Sequence, residues 1–423
     1  MSSKQWAMSG SLSLLLTAHC LLLTAHCFMR RWKKILLVLL AIVLLAQIPF
    51  CYRRYKIGQL AGKIQQMQAA RNPAENPQYN DYKGIIHAHT SLGGHSAGTF
   101  EELIRAARSN ELDYVLMTEH AAELFDTSAL TLNGRYGGTL FVGGQEANTA
   151  TGDRFLLIPG SAESFGDAKL ETTAFLEKYK AQNKLVFVTY PEKLKSRDAA
   201  FDGIEVFSLH TNAKRMNPAL FAGDALWSYY SYPELLLTKY FTRPAENLRK
   251  YDELAGNRKL TLFAGTDAHS NIGFHLLGDD AQNKIINLKL DDYATVFRLA
   301  RNHVLLEKDQ PLTPENLLQA LKNGRSFVGF DTLADARGFT FTAGDKIMGD
   351  EITLTDKVNL KAAAPLAARF VIFRNGEKVF EESADAEVNF EAREKGAYRV
   401  EVYLDSIGFT EMPWIISNPI YLR

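Results

Sequence analysis

Short apolar runs alternate with amphipathic stretches through most of the chain, and this pattern predicts an α/β fold built on a parallel sheet or barrel. Thr99 and Glu102 have the spacing of a capping box at the start of one helix. Further helices are predicted over residues 175–182 and 234–254, the second interrupted by Pro244. The predicted strands are GIIHAH, DYVLMTEH, TLFVGG, RFLLIPG, KLVFVTY, GIEVFS and KLTLFAGTDAH.

Near Phe330 the pattern changes to segments of period two separated by turn residues, which predicts a β domain over residues 331–423. The Asn375-Gly376 pair lies between two of these segments and is a strong signal for a two-residue hairpin. A small all-β sandwich is the expected architecture. No residues in this part have the spacing of catalytic groups, so we expect it to pack against the α/β body or to present ligands.

One apolar run near the N-terminus has the composition of a transmembrane helix. It covers residues 35–50, and Trp32, Cys51 and Tyr52 extend it as interfacial residues. Four basic residues precede the run and three follow it, which favours a body outside the cytoplasmic membrane of a bacterium. Because no small-residue cleavage site follows the run, we expect an uncleaved single-pass signal anchor over residues 29–52 rather than a cleaved signal peptide.

The segments on either side of this anchor have simple interpretations. LLLTAHC occurs twice in tandem within residues 1–28, and two copies are too few for a coiled coil. We expect this extension to be a leader or a non-native addition before a natural start at Met29. Residues 53–80 are expected to form a stalk that contains a short helix and ends at two prolines.

Composition and charge exclude several classes of function. Lys plus Arg and Asp plus Glu each total 48, so the chain has no net basic surplus to drive tight binding to nucleic acid or anionic lipid. Hydrophobic residues make up 46% and charged residues 23%, which is typical of a folded globular protein. All three cysteines lie in or beside the N-terminal apolar region, so the body offers no thiol ligand or nucleophile.

Imidazoles and carboxylates cluster where the predicted strands end. Two doublets, His87/His89 and Asp267/His269, have i, i+2 spacing, and the members of each doublet therefore point to one side of a strand. In α/β barrels, sites are built at the carboxyl ends of strands, and imidazole with carboxylate suits Zn, Mn or Fe. The other strand-end residues are His95, Glu119, His120 and Glu146. The sequence therefore predicts the site of a metal-dependent hydrolase.

These motifs resemble those of one family. HAHTSLGGHS, MTEH, GGQEAN, VTYPE, GIEVFS and GTDAH occur in the order found in the PHP superfamily, the polymerase and histidinol phosphatase metallohydrolases. The resemblance covers roughly residues 83–330 and implies a distorted (β/α)7-type PHP barrel over residues 81–330. NGRSFVGF, followed by a β domain that ends in PWIISNPIYL, is similar to the subgroup with a C-terminal β-sandwich.

The resemblance also implies a set of metal ligands. It assigns two divalent ions, Mn, Zn or Fe, to seven residues: one ion to His87, His89 and Asp267, a second to His95, His120 and His269, and both to a bridging Glu146. PHP proteins often hold a third metal with two more histidines, but Arg154 and Tyr190 stand at those positions here. Arg154 is expected to face a substrate anion as a fixed charge or to be an ordinary surface arginine, and Tyr190 to donate a hydrogen bond or to pack.

The activity that the resemblance implies is hydrolysis of a phosphoester by a hydroxide shared between the two ions. The expected catalytic residues are Glu146, Asp267, Arg154 and His210, with His275 as a further candidate for contact with substrate; His303 is given no role. The ligands alone do not select phosphorus, so an amide, carbamate or ester hydrolase and a catalytically degenerate binding protein stay open. A small-molecule or lipid-linked phosphoester is the expected substrate, with no nucleic acid partner.

The stretch from Leu220 to Phe241 is unusually rich in leucine and tyrosine and is expected to form an insertion near the mouth of the barrel. It could bind lipid or a hydrophobic substrate. Packing in the core is the expected role, because aromatic side chains most often serve it.

Overall fold

The computed structural model describes residues 3–73, 76–213, 216–271, 273–278, 284–408 and 412–423, with the side chains of residues 3–30, 210, 213, 273–278 and 284–288 left out. Within these residues the α-helices are α1 (Ser3–Ala70), α2 (Phe100–Ser109), α3 (Thr127–Leu130), α4 (Thr172–Ala181), α5 (Leu209–Ala213), α6 (Pro218–Ser228), α7 (Pro233–Thr238), α8 (Ala245–Ala255), α9 (Tyr293–Val296) and α10 (Pro314–Lys322). Short 3-10 helices cover Ser91–Gly93, Gly166–Lys169, Pro191–Lys193 and Asp405–Ile407.

The strands of the first part of the chain are β1 (Tyr79–Ala88), β2 (Tyr114–Met117), β3 (Glu119–His120), β4 (Gly134–Tyr136), β5 (Thr139–Val142), β6 (Gln145–Asn148), β7 (Arg154–Ile158), β8 (Leu185–Val188), β9 (Gly203–Ser208), β10 (Thr261–Ala268), β11 (Gly273–Gly278), β12 (Lys284–Lys289), β13 (Arg301–Glu307) and β14 (Ser326–Gly329). Those of the last part are β15 (Thr340–Ala343), β16 (Lys346–Ile347), β17 (Glu351–Ile352), β18 (Val358–Ala363), β19 (Ala368–Arg374), β20 (Glu377–Ala384), β21 (Glu387–Ala392), β22 (Gly396–Tyr403), β23 (Ile415–Ser417) and β24 (Ile420–Leu422).

The described residues form a mixed α/β fold with one large sheet, and the pairing of its strands determines where their ends lie. β1 pairs in parallel with β2 and β10, and antiparallel with β13. β2 and β3 continue in parallel onto β5 and β6, while β10 pairs in parallel with β9, and β9 with β8. The parallel pairing predicted from the sequence is therefore confirmed for these strands. Their carboxyl ends meet at one end of the sheet.

β7 departs from the expected parallel order, because it runs antiparallel to both β6 and β8. Only five residues, 149–153, separate β6 from β7. A connection this short joins antiparallel neighbours, whereas a parallel pair needs a crossover of a dozen or more residues. The hydrogen-bonded succession nevertheless passes from β6 through β7 and β8 to β9 and β10, and so returns to β1.

In the described residues, the last part of the chain consists of strands and turns with one short 3-10 helix at Asp405–Ile407, as its period-two pattern predicts for a β region. β15, β16, β18 and β21 form a separate antiparallel sheet, whereas β17, β19, β20, β22, β23 and β24 extend the large sheet through the pairing of β14 with β23. The predicted hairpin joins β19 to β20, and both of its turn residues, Asn375 and Gly376, have positive φ. This backbone is what the Asn-Gly pair favours.

Buried polar contacts fix the last strands to the α/β body. Arg399 of β22 is fully buried, makes two bonds of 2.7 Å to the carboxylate of Asp252 in α8, and donates to Glu401 at 2.6 Å. Asn418 accepts a hydrogen bond from the backbone N–H of Leu262 at 2.7 Å and donates to the carbonyl of the same residue at 3.0 Å. Because Leu262 belongs to β10, these bonds hold a strand that ends at the predicted site.

The N-terminal helix α1 is long and continuous, and it contains Pro49. Its part within residues 31–70 is long and apolar enough to cross a membrane, so it is a candidate membrane span or signal anchor. Beyond the apolar run, Ile57 and Ile64 are buried against the body, and the backbone N–H of Asn72 donates to a carbonyl of the β part at 3.0 Å. The segment predicted to be a stalk thus packs along the protein. The side chains of the LLLTAHC repeat lie outside the described residues.

Candidate metal centre

The first histidine doublet lies where β1 leaves regular strand geometry. His87 has φ of 74°, and the pairing of β1 with both neighbours shifts register between Ile86 and Ala88. On the adjacent strand β10, Asp267 has φ of 48°. The i, i+2 spacing predicted convergence in a regular strand, but a bulge with left-handed residues brings the side chains together here. Such backbone costs about 1–3 kcal/mol per residue and is found mainly at functional sites.

Four buried donor atoms converge from β1, β6 and β10. Nε2 of His87 and Nε2 of His89 each lie 3.4 Å from Oδ1 of Asp267 and 3.5 Å from Oε2 of Glu146. All four side chains are buried. The structure thus brings together four of the seven predicted ligands as one compact set.

The spacing and chemistry of this set fit a divalent metal ion. None of the four atoms has a hydrogen-bond partner among the residues that the structure describes, although each is buried. Buried polar atoms are rarely left without partners. Two ligands about 2.1 Å from one ion, at the tetrahedral angle, lie about 3.4 Å apart, which matches the observed separations. Two imidazoles and two carboxylates also suit Zn, Mn or Fe.

A second group of imidazoles adjoins the first. The rings of His120 and His269 each stack on the ring of His89, with centroid separations of 4.5 and 4.3 Å. Nitrogen atoms of these three histidines lie within 4.8 Å of one another, and Nδ1 of His120 lies 3.5 Å from Oε2 of Glu146. Glu146 therefore contacts both groups, which is the place that the resemblance gives to a bridging ligand.

His95 lies at the edge of the second group. Its side chain is exposed on the Gly-rich loop after β1, and its ring centroid is 5.1 Å from that of His120 in an edge-on arrangement. It does not belong to either set of mutually close donor atoms found among the described residues. The structure places it beside the other predicted ligands of a second ion without bringing its nitrogen atoms as close.

A carboxylate that the sequence analysis did not single out supports His87 from behind. Oε1 of Glu205 lies 2.9 Å from Nδ1 of His87, and the hydroxyl of Thr189 donates to the other oxygen of Glu205. A carboxylate on the far nitrogen of a ligating histidine fixes the ring and its tautomer. Gly265 makes room for this contact, since a Cβ there would fall 1.5 Å from Oε1 of Glu205. The signal in the sequence is one acidic residue inside the apolar strand GIEVFS.

Arg154 and Tyr190 hold the outer oxygens of the two carboxylate ligands. Nη1 of Arg154 lies 3.1 Å from Oε1 of Glu146, and the hydroxyl of Tyr190 donates to Oδ2 of Asp267 at 2.6 Å. The guanidinium also lies over the Tyr190 ring, 5.0 Å from its centroid, and the ammonium of Lys193 lies 5.3 Å from that centroid. The structure therefore places Arg154 and Tyr190 within the candidate site, each in contact with a carboxylate ligand.

Glu119, which is not one of the predicted metal ligands, holds the loop that follows β1. Its buried carboxylate accepts hydrogen bonds from the backbone N–H of Thr90 at 2.9 Å, from the Thr90 hydroxyl at 2.6 Å and from the Thr131 hydroxyl at 3.0 Å. From the other side, the hydroxyl of Tyr293 in α9 donates to the carbonyl of His89 at 2.5 Å. The loop carrying His95 is thus anchored at its start.

The electrostatics of the site are those of a cation-binding pocket. Burial opposes a charge on His87, but the neighbouring carboxylates of Asp267 and Glu205 raise its pKa well above the ordinary value. Burial lowers the pKa of His89 to about 3. Burial raises the pKa of Glu146, but the interaction with the adjacent His87 imidazole outweighs it and lowers the pKa to about 2. The concentrated carboxylate charge therefore favours a positive charge in the midst of the four donor atoms.

Three histidines remain to be placed. His210 lies on α5, immediately after β9, and His275 lies in β11; the side chains of both are outside those that the structure describes. His303 is buried away from the site, with Nδ1 2.8 Å from Asp81. Burial opposes its protonation, yet Asp81 and Asp331 raise its pKa to about 10. These contacts indicate a structural role for His303, to which the sequence assigned no catalytic role.

No family model matches this chain, and no curated protein matches it. Similar solved structures include PsfC from Pseudomonas syringae PB-5123, at 14% identity and a TM-score of 0.33, covering 59% of this chain and 92% of PsfC. They also include Endonuclease Q in complex with a 27-mer duplex that carries an abasic lesion, at 13% identity and a TM-score of 0.31, covering 57% of each chain. Both TM-scores lie below 0.5, so the function must be inferred from this chain's own residues.

Proposed function

We propose that this chain is a membrane-anchored, metal-dependent hydrolase that cleaves phosphoesters. We further propose that residues 81–330 form a distorted (β/α)7-type barrel of the PHP superfamily, followed by a β-sandwich over residues 331–423. The closed succession of strand pairings from β1 to β10 supports the barrel. Helix α1 supports the anchor, with residues 29–52 in the cytoplasmic membrane and the body outside it.

One observation carries the proposal of metal dependence. The atoms Nε2 of His87, Nε2 of His89, Oε2 of Glu146 and Oδ1 of Asp267 are buried, mutually 3.4 to 3.5 Å apart wherever nitrogen faces oxygen, and without hydrogen-bond partners among the described residues. We assign a first ion to these atoms and a second to His95, His120 and His269, with Glu146 shared. When bound, two divalent ions supply an activated water and a clamp on the oxygens at phosphorus.

Arg154 and Tyr190 orient the carboxylate ligands. Each of these side chains holds one oxygen of a ligand carboxylate, so the other oxygen is directed toward the four-atom set. Both residues stand where the resembling family often carries histidines for a third ion. Side-chain groups that already bind the ligand carboxylates are poor replacements for such histidines, and this supports a site for two ions rather than three.

The same two residues favour an anionic substrate. The Arg154 side chain remains about 39% exposed while Nη1 holds Glu146 and Nε donates to Oδ1 of Asn148 at 2.9 Å, so Nη2 can bind a phosphoryl oxygen. The ammonium of Lys193 lies beside the same tyrosine ring and adds a second positive charge. We keep His210, on α5 next to the strand that carries Glu205, as the proposed proton donor to the leaving group.

A substrate panel with the full chain in detergent tests this proposal. Phosphate monoesters and diesters, carboxylic esters and anilides with the same nitrophenyl or nitroanilide reporter are offered with Mn²⁺ or Zn²⁺. We expect turnover of phosphoesters, its loss in Glu146→Gln, and a decrease of about 10 to 100-fold in Arg154→Gln, which removes a charge-assisted contact. Turnover of anilides alone would favour the amide hydrolase, and turnover of nothing despite bound metal would favour a binding protein.

A further inference from the structure

The aromatic insertion makes direct contact with the apolar part of α1. The indole N–H of Trp227 donates to Oε1 of Gln47 at 2.9 Å, and the carbonyl of Trp227 accepts from Arg54 at 2.6 Å. Gly223 lies so close to the ring of Phe50 that a Cβ there would come within 2.4 Å of it. Since Gln47 and Phe50 belong to the last turns of the apolar run, α6 lies beside the point where the candidate span ends.

Helix α6 and the turn after it expose several of their large apolar side chains. Leu226 is 76% exposed and Tyr230 is 99% exposed, and Leu220 and Trp227 are also exposed. The residues of α6 that are buried are Asp224 and Ser228. An amphipathic helix on a water-soluble body shows the opposite arrangement. Core packing was expected for this stretch. It holds for α7, where Leu235 to Leu237 are buried, and in part for α6, where Phe221 and Ala225 pack half-buried against the core.

A basic groove lies directly beside this helix. It is a cavity of about 560 Å³ between α1 and the end of α7. Arg53, Lys56, Lys63 and Lys239 line it together with apolar and amide side chains, and none of the described lining residues is a carboxylate. Arg53 joins the groove to α6, because its guanidinium lies 2.6 Å from the buried carboxylate of Asp224. Lys239 lies 3.6 Å from the same carboxylate, so the charge of the groove that is complementary to the headgroups of anionic lipids comes chiefly from Lys56 and Lys63.

A chain of contacts leads from α6 to the candidate metal centre. The hydroxyl of Tyr229, at the end of α6, donates to the carbonyl of Lys289 at 2.8 Å and lies 3.4 Å from Asp292, which caps α9. Tyr293, in the first turn of α9, donates to the carbonyl of His89. The insertion also leaves the sheet at the carboxyl end of β9, the end where the site lies. Contacts through α6 and α9 therefore connect the membrane-proximal part of α1 with the candidate metal centre.

We propose that residues 218–230 and the basic groove form one membrane-docking face, whose partner is a bilayer containing anionic phospholipid. The apolar side chains enter the interfacial layer, the groove binds lipid phosphate, and the metal centre opens toward the membrane surface. The substrate class that fits this placement is a phosphoester carried on an amphiphile. The inference rests on the proposed membrane anchor and on the proposed hydrolase, and its test must separate the three.

Spin-label depth measurements on the full chain give that separation. Labels are placed at Tyr230→Cys, at Val43→Cys within the apolar run and at Tyr136→Cys, an exposed tyrosine at the end of β4 beside the turn to β5. Cys20, Cys27 and Cys51 are changed to Ser. The chain is reconstituted in vesicles of phosphatidylcholine with phosphatidylglycerol, and collision rates with oxygen and with a water-soluble nickel chelate are compared. None of these positions belongs to the proposed metal centre.

We expect the label at 43 to be deep in the bilayer, the label at 230 to be in the interfacial layer, and the label at 136 to be in water. A label at 230 as accessible to nickel as that at 136, with 43 in the bilayer, would overturn the docking face and leave the anchor intact. A label at 43 in water would instead overturn the anchor. Spin-spin broadening at 230 that rises with protein density would mean that a second copy covers the face, which also overturns the inference.

Retention of lipid tests the groove separately. Native mass spectrometry of the full chain from mixed micelles compares bound phosphatidylglycerol with phosphatidylcholine. We expect Lys56→Gln with Lys63→Gln to reduce the preference for phosphatidylglycerol by about 30-fold. The control is Lys357→Gln with Lys361→Gln, which removes two lysines that pair with glutamates on the far β sheet. An unchanged preference in the first variant, or an equal loss in the control, would overturn the groove as a headgroup site.

Discussion

The contact between Glu205 and His87 gives a prediction that no sequence motif supplied. We expect Glu205→Gln to weaken metal binding by about 10 to 100-fold, the range found when the partner of a ligating histidine is removed. The Glu205 carboxylate is fully buried and lies 2.9 Å from Nδ1 of His87, so no water replaces it as an acceptor. Glutamine keeps the shape and one acceptor oxygen but removes the negative charge that raises the basicity of the imidazole. The loss corresponds to about 1.4 to 2.8 kcal/mol of binding free energy.

Competition against a fluorescent chelator measures the effect for Mn²⁺ and Zn²⁺ on the full chain in detergent, and circular dichroism checks that each variant folds. Glu205→Ala should fall at the lower end of affinity, since it leaves the His87 N–H without an acceptor. Asp331→Asn is the matched control, because it alters a buried carboxylate 3.4 Å from Nε2 of another histidine, His303, outside the site. Metal affinity within twofold of the wild type in Glu205→Gln would refute the supporting role of this carboxylate.

Three further predictions concern the packing that holds the site. Gly265→Ala should displace Glu205, because the new Cβ would overlap its carboxylate. The free energy of unfolding in urea titrations should fall by about 1 to 3 kcal/mol, and metal binding should weaken as well. Wild-type stability would contradict the observed close contact. Asn418→Ala should lower the free energy of unfolding by about 2 to 4 kcal/mol in the same titrations, because it leaves the backbone N–H and C=O of buried Leu262 without partners. A loss below about 0.5 kcal/mol, the size of a neutral surface change, would contradict this prediction. His303 has a pKa of about 10 in the folded state against an ordinary value of 6.5, so its contribution to the free energy of unfolding is complete below about pH 6.5 and is lost as the pH rises to about 10. The difference in this free energy between wild type and His303→Gln should therefore shrink between pH 7 and pH 9.5. A constant difference would show that His303 does not titrate in this way.

The sequence predicted the positions of the strands and the convergence of the strand-end residues. Apolar runs bounded by turn residues identify buried strands wherever they occur, and the parallel order of β1, β2, β9 and β10 brings their carboxyl ends together. The capping box of Thr99 and Glu102 and the turn at Asn375-Gly376 are confirmed because each depends on residues next to one another in the chain. Local rules are sufficient for features of this kind.

Contacts between distant parts of the chain could not be predicted in the same way. Glu205 reaches His87 across 118 residues, and its alternating neighbours in GIEVFS are all buried, so the period of the strand gives no sign of which face meets the site. The left-handed backbone at His87 and Asp267 arises from packing against adjacent strands, and neither residue type announces it. The contact of Trp227 with Gln47 joins two segments that are 180 residues apart.

The antiparallel course of β7 shows how a short connection can override the overall pattern. RFLLI reads like the other buried strands, and only the five residues before it distinguish it from them. In the resulting hairpin, Arg154 at the start of β7 lies opposite Asn148 of β6. Glu146 precedes Asn148 by two residues on β6, and the Arg154 guanidinium contacts it. The reversal of one strand thus brings a cation into the candidate site.

Metal content of the full chain is the measurement that tests the proposed function most directly. The chain is purified in detergent with Mn²⁺ or Zn²⁺ supplied, desalted and analysed by elemental mass spectrometry, beside the double variant His87→Ala with His89→Ala. The four converging donor atoms predict retained metal, with about two ions per chain on the proposed binuclear site, and a clear loss in the double variant. Absence of retained metal in the wild type, or the same content in the folded variant, would contradict the assignment of this site.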